Sequence, residues 1–127
     1  MEQLLVYKLE DKEYFPIVEK ICKQLNIKIK IISDSDVNFS IGYLVGIDGY
    51  TKVRIDDLKI DNQEMIVFAE FSDEQLEIIL QLFRNAQIPF IPLKAVLTAT
   101  NVEWSFAKLH DNVEEEYKLM HSLNQGE

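Results

Sequence analysis

When Leu4 is set on Met65 and the two halves of the chain are read side by side, their apolar residues stay in step without a gap. Val6 falls on Val67, Tyr7 on Phe68, Phe15 on Leu76, Ile17 on Ile78, Ile21 on Leu82, Ile27 on Ile88 and Ile29 on Phe90. This echo leaves few architectures open, because each half reads as strand, helix, strand, and neither half can bury its apolar faces alone. Any two βαβ units of similar length share such a pattern, with or without duplication. The echo therefore establishes the two units and not their ancestry.

In the first unit, the apolar run from Leu4 to Leu9 stops at Glu10-Asp11-Lys12, as a buried strand would. Phe15, Ile17, Val18, Ile21, Cys22 and Leu25 then recur at helical spacing. Pro16 has no amide hydrogen and fits only a first turn, so this helix is predicted to start around Glu13 to Phe15 and end near Asn26. The alternation Ile27-Lys28-Ile29-Lys30-Ile31 predicts an edge strand with its lysines toward solvent.

In the second unit, Met65 to Phe71 is apolar on both faces through Ala69, the pattern of a central strand covered above and below. Ser72-Asp73-Glu74-Gln75 is a capping box opening a helix with Leu76, Ile79, Leu80 and Phe83 toward the core. Ile88 to Leu93 predicts another edge strand, interrupted by Pro89 and Pro92. A second capping box, Thr100-Asn101-Val102-Glu103, predicts a long last helix with Val102, Phe106, Leu109, Val113, Tyr117 and Met120 on one stripe. Its far end is expected to overhang, offering a surface for a homodimer. Between the units, Val37, Ile41, Leu44 and Val45 keep helical spacing until Gly46 and Gly49, and the polar stretch from Tyr50 to Gln63 is open to a hairpin, a loop or a lid.

These elements predict a single α/β domain over residues 1–127. Its expected core is a four-stranded open sheet of order 2-1-3-4 with a long C-terminal helix. A parallel sheet is favoured because the link from Ile32 to Glu64 has room for a crossover and the third strand is covered on both sides. A ferredoxin-like α+β fold with an antiparallel sheet is the alternative.

Composition chiefly excludes. No run approaches the roughly 18 apolar residues of a membrane helix, and the N-terminus lacks a leader pattern. One cysteine, Cys22, allows neither an intrachain disulfide nor a multi-thiolate metal centre, which points to the cytoplasm. A formal charge of −9 repels phosphate backbones, so neither nucleic acid nor membrane is expected as a partner.

Few residues suggest chemistry. His110 and His121 lie on one helix about 16 Å apart by helical rise and cannot share a metal. Glycines 42, 46 and 49 form neither a dinucleotide fingerprint nor a phosphate loop. No metal and no cofactor is therefore expected. Cys22 reads as a small core hydrophobe, and Glu114-Glu115-Glu116 and Asp56-Asp57 as solvated faces.

The one constellation with some shape joins the last strand to the last helix. In a parallel sheet this junction lies at the carboxyl edge, with free helix amides suited to an anion. There Lys94 would act as an electrostatic clamp, with Thr98 and Thr100 as hydrogen-bond donors beside Asn101. Trp104 lies off the apolar stripe and is expected to fold over the turn or to anchor a ligand or partner. Helix capping alone also accounts for Thr100 and Asn101, and Lys94 is equally suited to a surface ion pair.

Phe71-Ser72-Asp73, Leu80, Ile88-Pro89, the run Leu93 to Thr98, Thr100-Asn101 and Trp104 form a further pattern over roughly residues 64–116. In these residues the second half resembles a bacterial family catalogued only as domain of unknown function 3783. It implies a small bacterial cytoplasmic domain and no particular activity. The reading is thus a non-catalytic binding or regulatory module for a protein or small molecule. An enzyme or binding protein for a small anionic metabolite at Lys94–Trp104 is the alternative, although no catalytic base is evident.

Overall fold

The computed structural model of the chain describes residues 1–125. Its elements in order are β1 (Gln3–Tyr7), α1 (Phe15–Gln24), β2 (Lys28–Ile32), α2 (Ile41–Leu44), β3 (Met65–Ala69), α3 (Asp73–Asn85), β4 (Leu93–Val96), a single 3-10 turn (Asn101–Glu103) and α4 (Phe106–Gln125). Contacts divide the chain into two compact units. One comprises Met1–Ile32 and Glu64–Leu97, the other Ser33–Gln63 and the segment from Thr98 onward. No helix among the described residues is long and apolar enough to cross a membrane.

The first unit contains both βαβ repeats. Its sheet has the expected order β2-β1-β3-β4. Each repeat pairs its own strands in parallel, but β1 and β3 run antiparallel at the centre. The sheet is therefore mixed, not parallel throughout as expected, and the parallel outer pairs also exclude the wholly antiparallel ferredoxin-like alternative. Side-chain periodicity reports which face a residue occupies but carries no strand direction, so direction was not readable from the pattern.

The antiparallel centre has a structural consequence. Two crossovers of one hand that lead away in opposite directions return over the same face of a sheet. Accordingly, Leu4 and Val6 of β1, Ile66 and Phe68 of β3, Val18, Ile21 and Cys22 of α1, and Ile79 and Phe83 of α3 form one buried cluster. Leu4 lies opposite Phe68 and Val6 opposite Ile66 on that face. Burying each such side chain contributes about 1.5–3 kcal/mol. On the opposite face Leu5, Tyr7, Met65, Val67 and Ala69 are also buried, as the two-faced pattern of the third strand requires.

The repeats also match in backbone detail. Asn26 and Gln87 take left-handed φ values of 58° and 60° just beyond the ends of α1 and α3. Each lies inside a paired closing motif, with Ile27 N–H donating to the Cys22 carbonyl and Ile88 N–H to the Phe83 carbonyl. Ser72 and Gln75 make the capping box at the start of α3, and Pro16 sits in the first turn of α1, both as predicted.

The echo ends at β4. Ile88 to Leu93 was expected as the strand, yet β4 starts only at Leu93. Pro89 and Pro92 have no amide to give a ladder, so pairing starts beyond the second proline.

In the second unit, the Ser40 hydroxyl caps α2 by accepting from Tyr43 N–H. Gly46, at φ 82°, closes that helix as Asn26 and Gln87 close theirs. Gly42 is needed for a close approach, because a Cβ there would lie 2.5 Å from Cγ of Tyr50. The stretch from Tyr50 to Gln63 has no helix or strand, and the Asn38 side chain holds it by bonding both the amide and the carbonyl of Leu58 at 3.0 Å. The predicted second capping box is displaced: α4 starts at Phe106, with Ser105 accepting from Lys108 N–H. Toward its far end Leu119, Met120 and Leu123 are about 60% exposed.

Two substitutions test this account by urea unfolding. Gln87→Gly should stabilise the protein by roughly 0.5–1 kcal/mol, because the left-handed penalty of about 1–2 kcal/mol exceeds glycine's extra entropy of about 0.5–1 kcal/mol. Gly42→Ala should destabilise it by about 1–3 kcal/mol through overpacking against Tyr50.

Candidate functional site

The shift of β4 places Lys94 second in the strand, at its opening end, and not at the strand's close as the junction reading required. Lys94 pairs with Ile66 and so shares the helix-covered face of the sheet. Its ammonium donates to the Ile91 carbonyl and lies 4.1 Å from the centroid of the Phe90 ring. Phe90 itself is 71% exposed. Beside this pair a cavity of about 220 Å³ runs along α3, lined by Leu80, Phe83 and Arg84 of the helix, Ile66 of β3 and the connector Ile88–Ile91. Desolvation lowers the Lys94 pKa from its ordinary value. Among the described residues its ammonium has no carboxylate partner.

The other residues of the predicted junction belong to the second unit. Thr98 and Asn101 bind each other reciprocally: Asn101 N–H donates to the Thr98 hydroxyl at 3.0 Å, and Thr98 N–H to the Asn101 side-chain carbonyl at 2.9 Å. That is a capping pair two residues earlier than predicted, and it leaves Thr100 exposed with no capping bond of its own. Trp104 lies under the Lys108 ammonium, 4.6 Å from its ring centroid. The helix amides expected to await an anion are occupied. Phe106 N–H donates to the Phe39 carbonyl, Ala107 N–H to the Val37 carbonyl and Lys108 N–H to the Ser105 hydroxyl. Of the five predicted residues, only Lys94 lines the cavity.

A second group was missed by the sequence reading. His110 of α4 is fully buried, and its Nε2 donates to the Gln63 carbonyl at 2.9 Å. The same nitrogen is 3.9 Å from Asp61 Oδ1. Glu114, one turn further along α4, is only 13% exposed, so the solvated reading of the acidic run fails at that residue. Burial and then the hydrogen bond shared with Asp61 raise the Glu114 pKa. Burial acts in the same direction on Asp61, but the Gln63 amide, the bond with Glu114, His110 and Lys118 together outweigh it and lower the Asp61 pKa. His121 stacks on Tyr117 instead, with ring centroids 5.9 Å apart. Of the run Asp56-Asp57, Asp57 is exposed and paired to Arg54, while Asp56 is half-buried. Only the long chain separation of Asp61 from α4 hid this group, since nothing local links the two.

Residues 64–120 match the model of a family described as domain of unknown function (DUF3783). The second half of the chain thus carries the family's pattern, from the start of β3 well into α4. No curated protein and no solved structure matches the chain.

Cys22 lies in the core cluster with its thiol pushed up to about 12 by burial. A thiol held protonated is a poor nucleophile. The native protein should therefore resist a disulfide-exchange reagent at pH 8, and reaction should appear only with urea unfolding. Rapid labelling of the folded protein would contradict the packing of α1.

Proposed function

We propose that this chain is a non-catalytic binding module whose sheet-and-helix unit takes a small ligand with an apolar body and an anionic head in the cavity beside Lys94. The observation that carries this reading is the Lys94 ammonium: partly desolvated, stacked on Phe90 and without a carboxylate partner among the described residues, in a chain of formal charge −9. Acidic side chains are abundant here, so an ammonium that faces an apolar hollow instead of one of them is suited to an incoming anion.

The walls supply the rest. Leu80, Phe83, Ile88 and Ile91 offer apolar surface, Phe90 an aromatic face, and Arg84 a second cation. At about 220 Å³ the hollow is smaller than the roughly 300–1,000 Å³ of drug-sized sites, which favours a single ring or a short acyl chain. Apart from Lys94 itself, the lining has no carboxylate, imidazole or thiol to act as base or nucleophile, which favours binding over catalysis. The lone buried thiol and the family resemblance favour a bacterial cytoplasmic setting for the module.

Nitrogen-15 amide spectra recorded with benzoate, phenylacetate and the neutral benzamide test the proposal. The carboxylates should shift the amides of Leu80, Ile88 and Lys94, and benzamide should not. Lys94→Met should weaken carboxylate binding by about 10–100-fold, the value of a charge-assisted hydrogen bond. Silence of these amides toward both carboxylates, or equal binding by the variant, would refute the site.

A further inference from the structure

We infer that Asp61, His110 and Glu114 form a site for a divalent transition-metal ion of the zinc type, separate from the ligand cavity and within the second unit. One donor atom from each residue, an imidazole nitrogen and two carboxylate oxygens, lies within 4.8 Å of the others. Zinc bonds to nitrogen and oxygen run about 2.0–2.2 Å in tetrahedral geometry, so two donors on one ion stand roughly 3.4 Å apart. Small side-chain rotations close the triangle to that size.

The three residues differ in exposure. His110 is fully buried, and its Nε2, the nitrogen 3.9 Å from Asp61, donates to the Gln63 carbonyl, so it takes an ion only by giving up that hydrogen bond and its proton. Asp61 is 54% exposed, so an ion reaches the group from solvent, and its Oδ1 is held by the Gln63 N–H at 3.0 Å. Lys118, whose ammonium is 3.9 Å from Glu114 Oε1, is 69% exposed and readily displaced. Asp111 and Glu115 line the open hollow beside Glu114 and draw cations toward it.

The donor set selects among ions. Magnesium and calcium prefer all-oxygen shells, whereas an imidazole with carboxylates suits zinc and its neighbours in the first transition row. Two carboxylates in contact, repelling unless they hold a proton between them, gain from a dication what a monovalent ion supplies less well.

The test is titration of the full chain with zinc chloride alone, followed by calorimetry and by the nitrogen-15 shifts of the histidine rings. The expected result is one ion per chain, with the His110 ring nitrogens shifting and those of His121 unmoved, and no His110 response to magnesium chloride. The double variant Asp61→Asn, Glu114→Gln, with its fold checked by the amide spectrum, should bind zinc at least about tenfold more weakly, the loss that even outer-shell changes cause. A zinc response confined to His121, no ring response at all, or unchanged binding by the double variant would overturn the assignment. His110 itself is left intact because its burial makes a folding defect the expected outcome of replacing it.

Discussion

Antiparallel pairing of β1 with β3 is the contact on which the rest of the first unit depends. It joins two parallel βαβ repeats back to back in the order β2-β1-β3-β4 and returns α1 and α3 over the same face. With parallel centre strands, crossovers of one hand leading away in opposite directions would place the helices on opposite faces. The packing of Leu4 on Phe68 and Val6 on Ile66 beneath two helices follows from that single reversal. So does the position of Lys94, which shares the face of Ile66 and meets the side of α3.

The same arrangement explains how a charged residue comes to border an apolar hollow. Pro89 and Pro92 keep the connector out of the ladder, so Ile88 to Ile91 run as a rim beside α3, with Phe90 turned outward. Lys94 reaches that rim from the strand and donates a hydrogen bond to the Ile91 carbonyl. Partial burial of an ammonium is unfavourable unless something offsets the lost hydration. The Phe90 ring and one carbonyl do so in part, and a bound anion would complete the compensation.

Features that rest on neighbouring residues were legible in the sequence. The Ser72–Gln75 box, the first-turn Pro16, the short helix around Ile41 and Leu44, and the two-faced strand Met65–Ala69 all stand in the structure. Strand order was legible too, because the lysines of Ile27–Ile31 and the prolines of Ile88–Leu93 marked the edges and the two-faced Met65–Ala69 the centre. Strand direction was not, since alternation is the same read either way. The capping prediction failed because the long helix starts only at Phe106 with Ser105 as its cap, while Thr98 and Asn101 bind each other around the 3-10 turn before it. The site reading kept Lys94 but misplaced it in its strand, and the helix amides it relied on are satisfied by carbonyls of Val37 and Phe39, far away in the chain. Long-range partners likewise conceal Asp61, His110 and Glu114: Glu114 looks like part of a solvated acidic run until α4 buries it.

The direction of the central strands is the claim beneath all of this, and Hα–Hα nuclear Overhauser contacts measure it directly. Alternate register pairs from the set Gln3–Ala69, Leu4–Phe68, Leu5–Val67, Val6–Ile66 and Tyr7–Met65 should give strong cross-peaks, because Hα atoms face each other closely only in antiparallel strands. Absence of those cross-peaks, with sequential-offset Hα–amide contacts between β1 and β3 in their place, would mean a parallel centre. Helices on opposite faces would follow, and the cavity beside Lys94 would lose its basis.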